Sequence, residues 1–304
     1  MDLSAEINKL KKEKDALILA HYYQIDEVQD IADYVGDSYY LSELAKNSSN
    51  KTIVFCGVKF MAESAKILSP EKRIILPNPT AGCPMADMAD AEKLTELKKA
   101  HPAAAVVCYI NSNTDVKALC DVCVTSSSAV DIIKNIPNKE IIFLPDKNLG
   151  EFIAEKFPDK TFYLWEGHCI THVKVKKENI LAAEELKPNA KILVHPECEK
   201  EIRDIADFIG STGEIIKYTQ TSSSDEFIIV TESGVLHEMK KRSPHKHFYV
   251  PGVTMTCVNM KKTTLHDIYH SLKNGDNEII IDEDIRKKAY KSLENMHILS
   301  KKGS

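Results

Sequence analysis

Three cysteines stand at matching places along the chain, in loops rich in glycine, proline or threonine. Cys83, Cys169 and Cys257 are separated by 86 and 88 residues. A single cysteine of this kind is usually a buried core residue, but three at equivalent positions favour a shared role as thiolate ligands. Three thiolates fit a 4Fe-4S cluster in which one iron lacks a protein ligand. That iron would keep an open Lewis-acid position, which suits dehydration chemistry, whereas zinc fits three thiolates less well.

Three polar triplets follow three apolar runs. Their side chains differ from one triplet to the next, as the groups of a catalytic site do. They are His21-Tyr22-Tyr23, Tyr109-Ile110-Asn111 and His195-Pro196-Glu197. Together they offer phenols, an amide and a carboxylate at strand ends, where polar groups must be hydrogen-bonded or face a cavity. Glu197 is the strongest candidate for proton transfer. The alternative for Glu197 is a salt bridge at the surface.

A serine follows each triplet at the start of a helix-like segment. Ser38, Ser126 and Ser211, the last followed by Thr212, each belong to a pattern typical of a helix N-cap. A helix N-terminus also binds anions. These residues are therefore predicted to cap helices and to contact carboxylate or phosphate groups of a substrate.

The remaining cysteines favour burial over chemistry. Cys120 and Cys123 form an isolated CxxC pair with no second pair in the chain, and we expect it at a helix end without a function. Cys56, Cys108 and Cys198 lie at strand ends or beside the triplets, so burial is the better interpretation for each.

The triplets, the serines that follow them and the three loop cysteines recur in register because the chain is a threefold repeat. The triplets begin 88 and 86 residues apart, and a serine follows each start by 17, 17 and 16 residues. A second apolar run follows each start by 32 residues, and a cysteine follows by 62, 60 and 62 residues. Such self-similarity is the sequence signature of a repeated structural unit.

Each third predicts the order strand, helix, strand, helix, strand. Predicted strands are 17–20, 53–55, 73–76, 104–108, 141–144, 161–164, 192–194, 227–230 and 247–250. Predicted helices are 5–14, 60–68, 93–100, 149–157, 179–186, 235–241, 265–272 and 283–299. The alternation predicts an α/β fold of three repeated αβα three-layer domains with short parallel sheets, in pseudo-threefold arrangement around a central active site. The triplets and cysteines would converge there, because ligands bind at the carboxyl ends of parallel strands.

The repeat also predicts the domain boundaries. Repeat domain 1 spans residues 1–88, repeat domain 2 spans 89–174 and repeat domain 3 spans 175–274. The C-terminal helix region 275–304 is expected to pack back on repeat domain 1 and to close the ring.

Composition excludes several classes of protein. The 304 residues are 43% hydrophobic and 28% charged, which is typical of a globular protein. The net charge of −5 argues against broad binding to nucleic acid or to an anionic membrane. No apolar run approaches the roughly 18 residues of a membrane span, and no secretory signal is visible, so we expect a cytoplasmic protein. Eight cysteines in such a protein favour metal binding, catalysis or burial over disulfides.

The chain resembles a known family, quinolinate synthase, over the stretch from about Leu19 to about Thr264. The matching motifs are Ala20-His21-Tyr22-Tyr23-Gln24, Phe60-Met61-Ala62-Glu63, Cys83-Pro84-Met85, Tyr109-Ile110-Asn111, Pro145-Asp146 with Asn148-Leu149-Gly150, Trp165 with Gly167, Cys169 and His172, His195-Pro196-Glu197, and Cys257 with Asn259-Met260. One departure is visible: Ser128 stands where the family usually has asparagine, which affects only the hydrogen bonding of its loop.

The resemblance implies an enzyme of NAD biosynthesis that condenses iminoaspartate with dihydroxyacetone phosphate, losing phosphate and water. It implies a 4Fe-4S cluster held by Cys83, Cys169 and Cys257, and proton-transfer or positioning roles for Glu197, Tyr23 and Tyr109. L-aspartate oxidase, which makes iminoaspartate, is the implied functional partner. The implied contacts to substrate are His21, Ser38, Asn111, Ser126, His172, His195, Ser211 and Thr212.

Two other classes of function remain open at this stage. A non-catalytic redox sensor or electron carrier could use the same cluster, although a carrier would prefer four protein ligands and no deep polar pocket. A threefold binding scaffold stabilised by zinc is the second alternative.

Overall fold

The computed structural model describes residues 2–300, so Met1 and residues 301–304, at the end of the predicted range 275–304, lie outside the described residues. Within the described part, the chain forms three separate four-stranded sheets, and all strand pairs in them are parallel. Helices flank each sheet. The predicted α/β class with three repeated αβα layers is therefore confirmed.

The three units follow one order of elements. The first unit contains α1 (Leu3–Glu13), β1 (Ala16–His21), α2 (Asp26–Ile31), β2 (Tyr34–Gly36), α3 (Ser38–Asn47), β3 (Thr52–Cys56), α4 (Lys59–Leu68), β4 (Arg73–Ile75) and the short α5 (Pro84–Asp87). The second contains α6 (Ala91–Ala100), β5 (Ala105–Tyr109), α7 (Thr114–Lys117), β6 (Val122–Val124), α8 (Ala129–Lys134), β7 (Glu140–Leu144), α9 (Lys147–Ala154), β8 (Thr161–Leu164) and a 3₁₀ turn (His172–Lys174). The third contains α10 (Lys177–Leu186), β9 (Lys191–Val194), α11 (Lys200–Arg203), β10 (Phe208–Ile209), α12 (Thr212–Thr221), β11 (Glu226–Val230), α13 (Val235–Arg242) and β12 (His247–Tyr249).

Strand order is the same in every unit: β2-β1-β3-β4, β6-β5-β7-β8 and β10-β9-β11-β12. The central strands are almost wholly apolar, and every residue of β3 and β5 is buried. Strands covered by helices on both faces are expected to have such continuous apolar sequences. The triplets consequently lie at the carboxyl end of the same strand in each sheet, namely β1, β5 and β9.

A fourth, short strand in each unit was missed by the sequence-based prediction. These strands, β2, β6 and β10, have only three, three and two residues, too few for a periodic pattern. An aspartate precedes each of them and its Oδ2 accepts a backbone N–H of the neighbouring central strand at 2.8 Å. The three pairs are Asp33 with Ile18, Asp121 with Val106, and Asp207 with Ile192.

The expectation that the CxxC pair sits at a helix end is wrong. Cys123 is the middle residue of β6, and Cys120 lies in the turn between α7 and β6. Cys123 pairs in register with Cys108 on β5. The short strand explains the error, since β6 is one of the strands without a periodic pattern.

The C-terminal part of the chain returns to the first two units. Helix α14 (Leu265–Asn274) packs against α1, and its Ile268 and Leu272 join the apolar cluster around Ile18. It ends at Gly275, whose positive φ of 79° is the left-handed conformation that favours glycine. Helix α15 (Glu283–Ser300) contacts α4 of the first unit and also α7, β6 and α8 of the second. The predicted domain boundaries stay a prediction.

None of the helices in residues 2–300 has both the length and the apolar character that crossing a membrane requires.

Candidate active site

The three cysteine loops meet at one cavity. Cys83, Cys169 and Cys257 all line it, one from each unit. The other predicted site residues that line the cavity are His21, Tyr23, Ser38, Tyr109, Asn111, Ser126, His172, His195, Glu197 and Thr212.

The same backbone hydrogen bond fixes the cysteine loop in each unit. The residue that follows the second central strand by three positions donates its N–H to the carbonyl two residues before the cysteine, at 2.8 Å in all three units. The pairs are Lys59 with Ala81, Lys147 with Gly167, and Ser233 with Met255. The loops therefore share their anchor, which explains why the cysteines recur in register.

Each of the three sulfurs also accepts hydrogen bonds from backbone N–H groups two and three residues further along. The donors are Met85 and Ala86 for Cys83, Thr171 and His172 for Cys169, and Asn259 and Met260 for Cys257. Such donors stabilise a thiolate, and hydrogen bonds to the sulfurs are one of the means by which proteins tune iron–sulfur clusters.

Burial nevertheless keeps these thiols protonated when no cation is bound. It raises the pKa of Cys83 to about 12, and it raises the pKa values of Cys169 and Cys257. A metal must then displace the protons, which couples binding to proton release. In residues 2–300 all eight cysteines are free of disulfides. Three free soft ligands, each with backbone donors, fit an iron–sulfur cluster.

A second possible ligand group lies beside them. Ligand atoms of Cys169, His172 and Glu197 lie within 4.8 Å of one another. His172 Nδ1 is 3.1 Å from Cys169 Sγ and 2.8 Å from Glu197 Oε2. A sulfur, a nitrogen and an oxygen at this spacing are also compatible with a single metal ion such as zinc.

Glu197 is buried and held on both oxygens, not salt-bridged at the surface. The Tyr109 hydroxyl donates to Oε1 at 2.7 Å, and His172 faces Oε2. Burial opposes ionisation of this carboxyl, but the charge of His172 and the hydrogen bonds from His172 and Tyr109 outweigh it and hold the pKa of Glu197 below its usual range. Glu197 is therefore a carboxylate that can accept a proton.

The two phenols of the site keep their protons. Burial, reinforced by the charge of Glu197, raises the pKa values of Tyr23 and Tyr109 well above the usual range. The Tyr23 hydroxyl shares hydrogen bonds with Thr212 Oγ1 at 2.7 Å and Thr231 Oγ1 at 2.9 Å. Both phenols can thus act as acids or hydrogen-bond donors.

Thr231 joins these groups into one network. Its hydroxyl lies 2.9 Å from Tyr23 Oη and 3.0 Å from His172 Nε2. The network runs from Tyr23 through Thr231 and His172 to Glu197 and Tyr109, so it crosses all three units. Sequence reasoning missed Thr231 because it lies one residue beyond β11, outside every motif that had been singled out.

His21 and His195 have the same environment in two units. Each Nδ1 accepts the backbone N–H of the residue two positions on, Tyr23 at 3.1 Å and Glu197 at 3.3 Å. Burial lowers the pKa of both histidines to about 3, so both are neutral near pH 7. With Nδ1 as acceptor, Nε2 carries the proton and is a hydrogen-bond donor.

The predicted serines differ from one another in position. Asp37, not Ser38, occupies the N-cap of α3, where its side chain accepts the N–H of Tyr40. In the second unit Ser128 occupies the cap position of α8, and a turn from Thr125 separates Ser126 from the helix.

Ser211 is the N-cap of α12 and forms a capping box with Glu214, as the pattern predicted. Unlike Ser38, Ser126 and Thr212, Ser211 is not among the described residues that line the cavity. Its contact with substrate stays a prediction.

The other cysteines lie away from the cavity lining. Cys56, Cys108 and Cys198 are fully buried, as expected. Cys108 Sγ and Cys123 Sγ are 3.4 Å apart, and Cys120 donates to the carbonyl of Val116. The thiols of Cys108, Cys120 and Cys123 belong to the apolar interior of the second unit.

Comparison with known proteins gives one consistent result. Residues 5–298 match the family described as Quinolinate synthetase A protein. A protein named quinolinate synthase from Clostridium perfringens is 62% identical over 299 residues, which cover 98% of this chain and 99% of that protein. Proteins of the same name from Clostridioides difficile and Caldicellulosiruptor bescii are 57% and 55% identical, and the matches cover 98% and 97% of this chain and the same shares of those proteins.

Proposed function

Because the chain belongs to the quinolinate synthase family and is an enzyme of that type, acting in NAD biosynthesis, we propose that it condenses iminoaspartate with dihydroxyacetone phosphate. The products are quinolinate, phosphate and water. One observation carries the proposal: thiols from three units line the same cavity as the Glu197 carboxylate and two protonated phenols.

The cofactor in this proposal is a 4Fe-4S cluster held by Cys83, Cys169 and Cys257. When bound through three thiolates, it supplies an open iron position that acts as a Lewis acid for loss of hydroxyl. The proposal is supported by the shared loop anchor and by the backbone N–H donors at all three sulfurs. Among the described residues, no fourth cysteine lines the cavity.

Glu197 is the base that takes and returns protons. Its carboxylate is ionised although it is buried, and Tyr109 and His172 fix the directions of its two oxygens. A positioned carboxylate of this kind contributes about 10²–10⁴ in rate. Tyr109 orients Glu197 through the 2.7 Å hydrogen bond that its hydroxyl donates to Oε1.

Tyr23 is the second proton-transfer group. Tyr23 lines the cavity, and its hydroxyl shares hydrogen bonds with two threonine hydroxyls that hold it in place. Its raised pKa keeps it protonated near neutral pH, so it donates to a leaving or forming hydroxyl.

Neutral donors bind the anionic parts of the substrates. The Nε2–H groups of His21 and His195 suit carboxylate or phosphate oxygens without placing a permanent charge in the cavity. The hydroxyls of Ser38 and Thr212 lie in the first turns of α3 and α12, where helix N-termini favour anions. Asn111, Ser126, His172 and Ser211 complete the proposed set of contacts.

We further propose that the enzyme acts in the cytoplasm with L-aspartate oxidase as its source of iminoaspartate. An unstable substrate favours supply close to its point of use. If this holds, adding L-aspartate oxidase and aspartate will give a higher yield of quinolinate than the same flux of iminoaspartate generated chemically. Equal yields would count against direct supply.

An anaerobic assay with iron and sulfide quantified in the same sample tests the function. The proposal expects quinolinate together with about four irons and four sulfides per chain, and expects dicarboxylates to perturb the electron paramagnetic resonance of the reduced cluster. Bound cluster with no response to dicarboxylates and no product would indicate an electron carrier. One zinc per chain and no sulfide would indicate a zinc-stabilised scaffold.

A further inference from the structure

Two of the three units place a buried carboxylate at the same position of the repeat. Val58, Asp146 and Glu232 each stand two residues after the second central strand, and the spacings of 88 and 86 residues equal those between the triplets. Asp146 and Glu232 are both fully buried. This position is next to the residue whose N–H anchors each cysteine loop.

Glu232 binds the cysteine loop of its own unit directly. Its Oε1 accepts the backbone N–H of Cys257 at 3.0 Å, and its Oε2 accepts the N–H of Gly234 at 2.7 Å. One carboxylate therefore joins the end of β11, the start of α13 and the Cys257 loop. Hydrogen bonds to an ionised acceptor are stronger than neutral ones.

Lys261 balances this carboxylate and links it to the first unit. Its Nζ lies 3.1 Å from Glu232 Oε1 and 3.2 Å from Oε2, and it donates to the carbonyl of Tyr23 at 2.6 Å. The side chain of Gln24 donates to the carbonyl of Met260 at 2.6 Å, which adds a further contact between the first unit and the loop that bears Cys257. We call these contacts of Glu232, Lys261 and Gln24 the joint. The Tyr23 triplet of the first unit is thereby tied to the loop that bears Cys257.

Gly234 shows how closely this joint is packed. A Cβ at that position would lie 2.5 Å from Lys261 Nζ and 2.9 Å from both Glu232 Oε2 and the Tyr22 carbonyl. Glycine is thus required for the lysine to reach the carboxylate. The ion pair is built into the fold and is not a mobile surface contact.

Asp146 repeats part of this arrangement in the second unit. It accepts the backbone N–H of Leu149 at 2.8 Å at the start of α9, and Asp146 forms an isolated parallel bridge with Gly167 of the Cys169 loop. The first unit has Val58 at this position, which cannot do the same. Both carboxylates thus accept an N–H at the start of the following helix, and Glu232 alone among the three positions also binds its cysteine loop and reaches the first unit through a lysine.

We propose that Glu232 and Lys261 are a positioning pair that holds the Cys257 loop in a fixed position relative to the Tyr23 triplet. The part of this inference that concerns the cluster rests on the proposed function. The part that concerns the loop does not, because it rests on contacts among the residues of this chain alone.

The test compares Glu232→Gln and Lys261→Met with a matched control, Lys241→Met. Lys241 pairs with Asp30 at 3.1 Å, so it also links the third and first units, but at the surface and away from the cysteine loop. Glu232→Gln is nearly isosteric and removes the negative charge of the buried partner. Lys261→Met removes the positive charge of the other partner, which is 21% exposed, so the two changes disrupt the ion pair independently.

Amide hydrogen exchange of the cluster-free full-length protein is the first measurement. Exchange at residues 255–260 is expected to be at least about tenfold faster in Glu232→Gln and in Lys261→Met, and unchanged in Lys241→Met. Unchanged exchange in both joint variants, or an equal increase in the control, would overturn the inference.

Anaerobic transfer of iron to a chelator is the second measurement, made on the holoenzyme. The joint variants are expected to lose iron about ten to a hundredfold faster than the wild type and the control, which is the usual effect of removing a group that orients a ligand. Iron loss at the wild-type rate would contradict the proposed role toward the cluster. A wild-type protein without bound iron would refute the proposed function and leave the exchange result to decide on the pair.

Discussion

Two groups of cysteines in this chain show what separates a ligand site from a core. Cys83, Cys169 and Cys257 come from three units, line one cavity, and accept backbone N–H groups at their sulfurs. Cys108, Cys120 and Cys123 come from one unit and are close in sequence, and two of their sulfurs are 3.4 Å apart. Yet Cys120 donates to a carbonyl and Cys123 to the Ser292 hydroxyl, as protonated thiols do in an apolar interior.

The difference teaches that proximity of thiols does not make a metal site. Burial raises the pKa of Cys108 and Cys123 as it does that of Cys83, so burial alone does not distinguish the two groups either. What distinguishes the first group is a set of donors that stabilise thiolates and an adjoining polar cavity. The four predictions that follow test this difference, from the largest expected effect to the smallest.

Removal of a cysteine from each group gives the strongest contrast. Cys169→Ala should abolish both the iron–sulfur absorbance and the formation of quinolinate, because only two thiolates would remain in the cavity. Cys123→Ala should keep both and lose about 1–2 kcal/mol of stability through the small cavity that it leaves. Anaerobic absorbance spectra and product assays measure this. An active Cys169→Ala, or an iron-free Cys123→Ala, would break the comparison.

Glu197→Gln should separate catalysis from cluster binding. The amide cannot accept a proton, so kcat is expected to fall by about 10²–10⁴ while iron content stays at the wild-type level. Tyr109→Phe is the matched change, since it removes one hydrogen bond to Glu197 and should cost less. Near-normal turnover in Glu197→Gln would remove this residue from the mechanism.

The pH dependence of stability should differ between the cavity and the core. His195 has its pKa lowered by burial to about 3, against 6.5 in the unfolded chain, so the unfolded state binds more protons between these values. The stability that neutral His195 contributes is thus complete above about pH 6.5 and is lost as the pH falls toward 3. Urea unfolding of the cluster-free protein should show a smaller loss in His195→Asn.

Two variants serve as controls for the pH experiment. Exposed His245→Asn and core Cys123→Ala should retain the wild-type slope, because neither change removes the buried His195. A slope in His195→Asn that equals that of the wild type would show that His195 is accessible to protons in the folded state.

Ser292→Ala should give the smallest effect. The serine hydroxyl of α15 donates to backbone carbonyls of Lys117 and Ala289 and lies 3.5 Å from Cys123 Sγ. Its loss should cost about 1 kcal/mol and leave iron content and kcat unchanged. Loss of iron in this variant would mean that the core thiols communicate with the cavity.

Most of the fold and of the cavity lining followed from the spacing of the repeat. The long apolar strands and the three cysteines recur at fixed intervals, and a structure of equal units must bring equivalent positions into equivalent places. The strands β2, β6 and β10 were missed because two or three residues carry no periodicity. The aspartates Asp33, Asp121 and Asp207, which recur at the repeat spacing, were the signal that could have revealed them.

The polar network of the site was only partly visible in the sequence. Glu197 and Tyr23 stood out because they share one repeat position with Asn111, and Tyr109 stood out because it replaces the histidine of the other two triplets. Thr231 and Glu232 lie between the landmarks, and their importance depends on which neighbours three units bring together. Asp146 and Glu232 do share a repeat position, so a comparison of buried carboxylates across the units would have found that pair.

An anaerobic crystal structure with iron located by anomalous scattering tests the central claim most directly. The account predicts one cluster bound by the sulfurs of Cys83, Cys169 and Cys257, with one iron that has no side-chain ligand. A cluster with His172 or Glu197 as fourth ligand, or iron located at Cys108 and Cys123 instead, would contradict it.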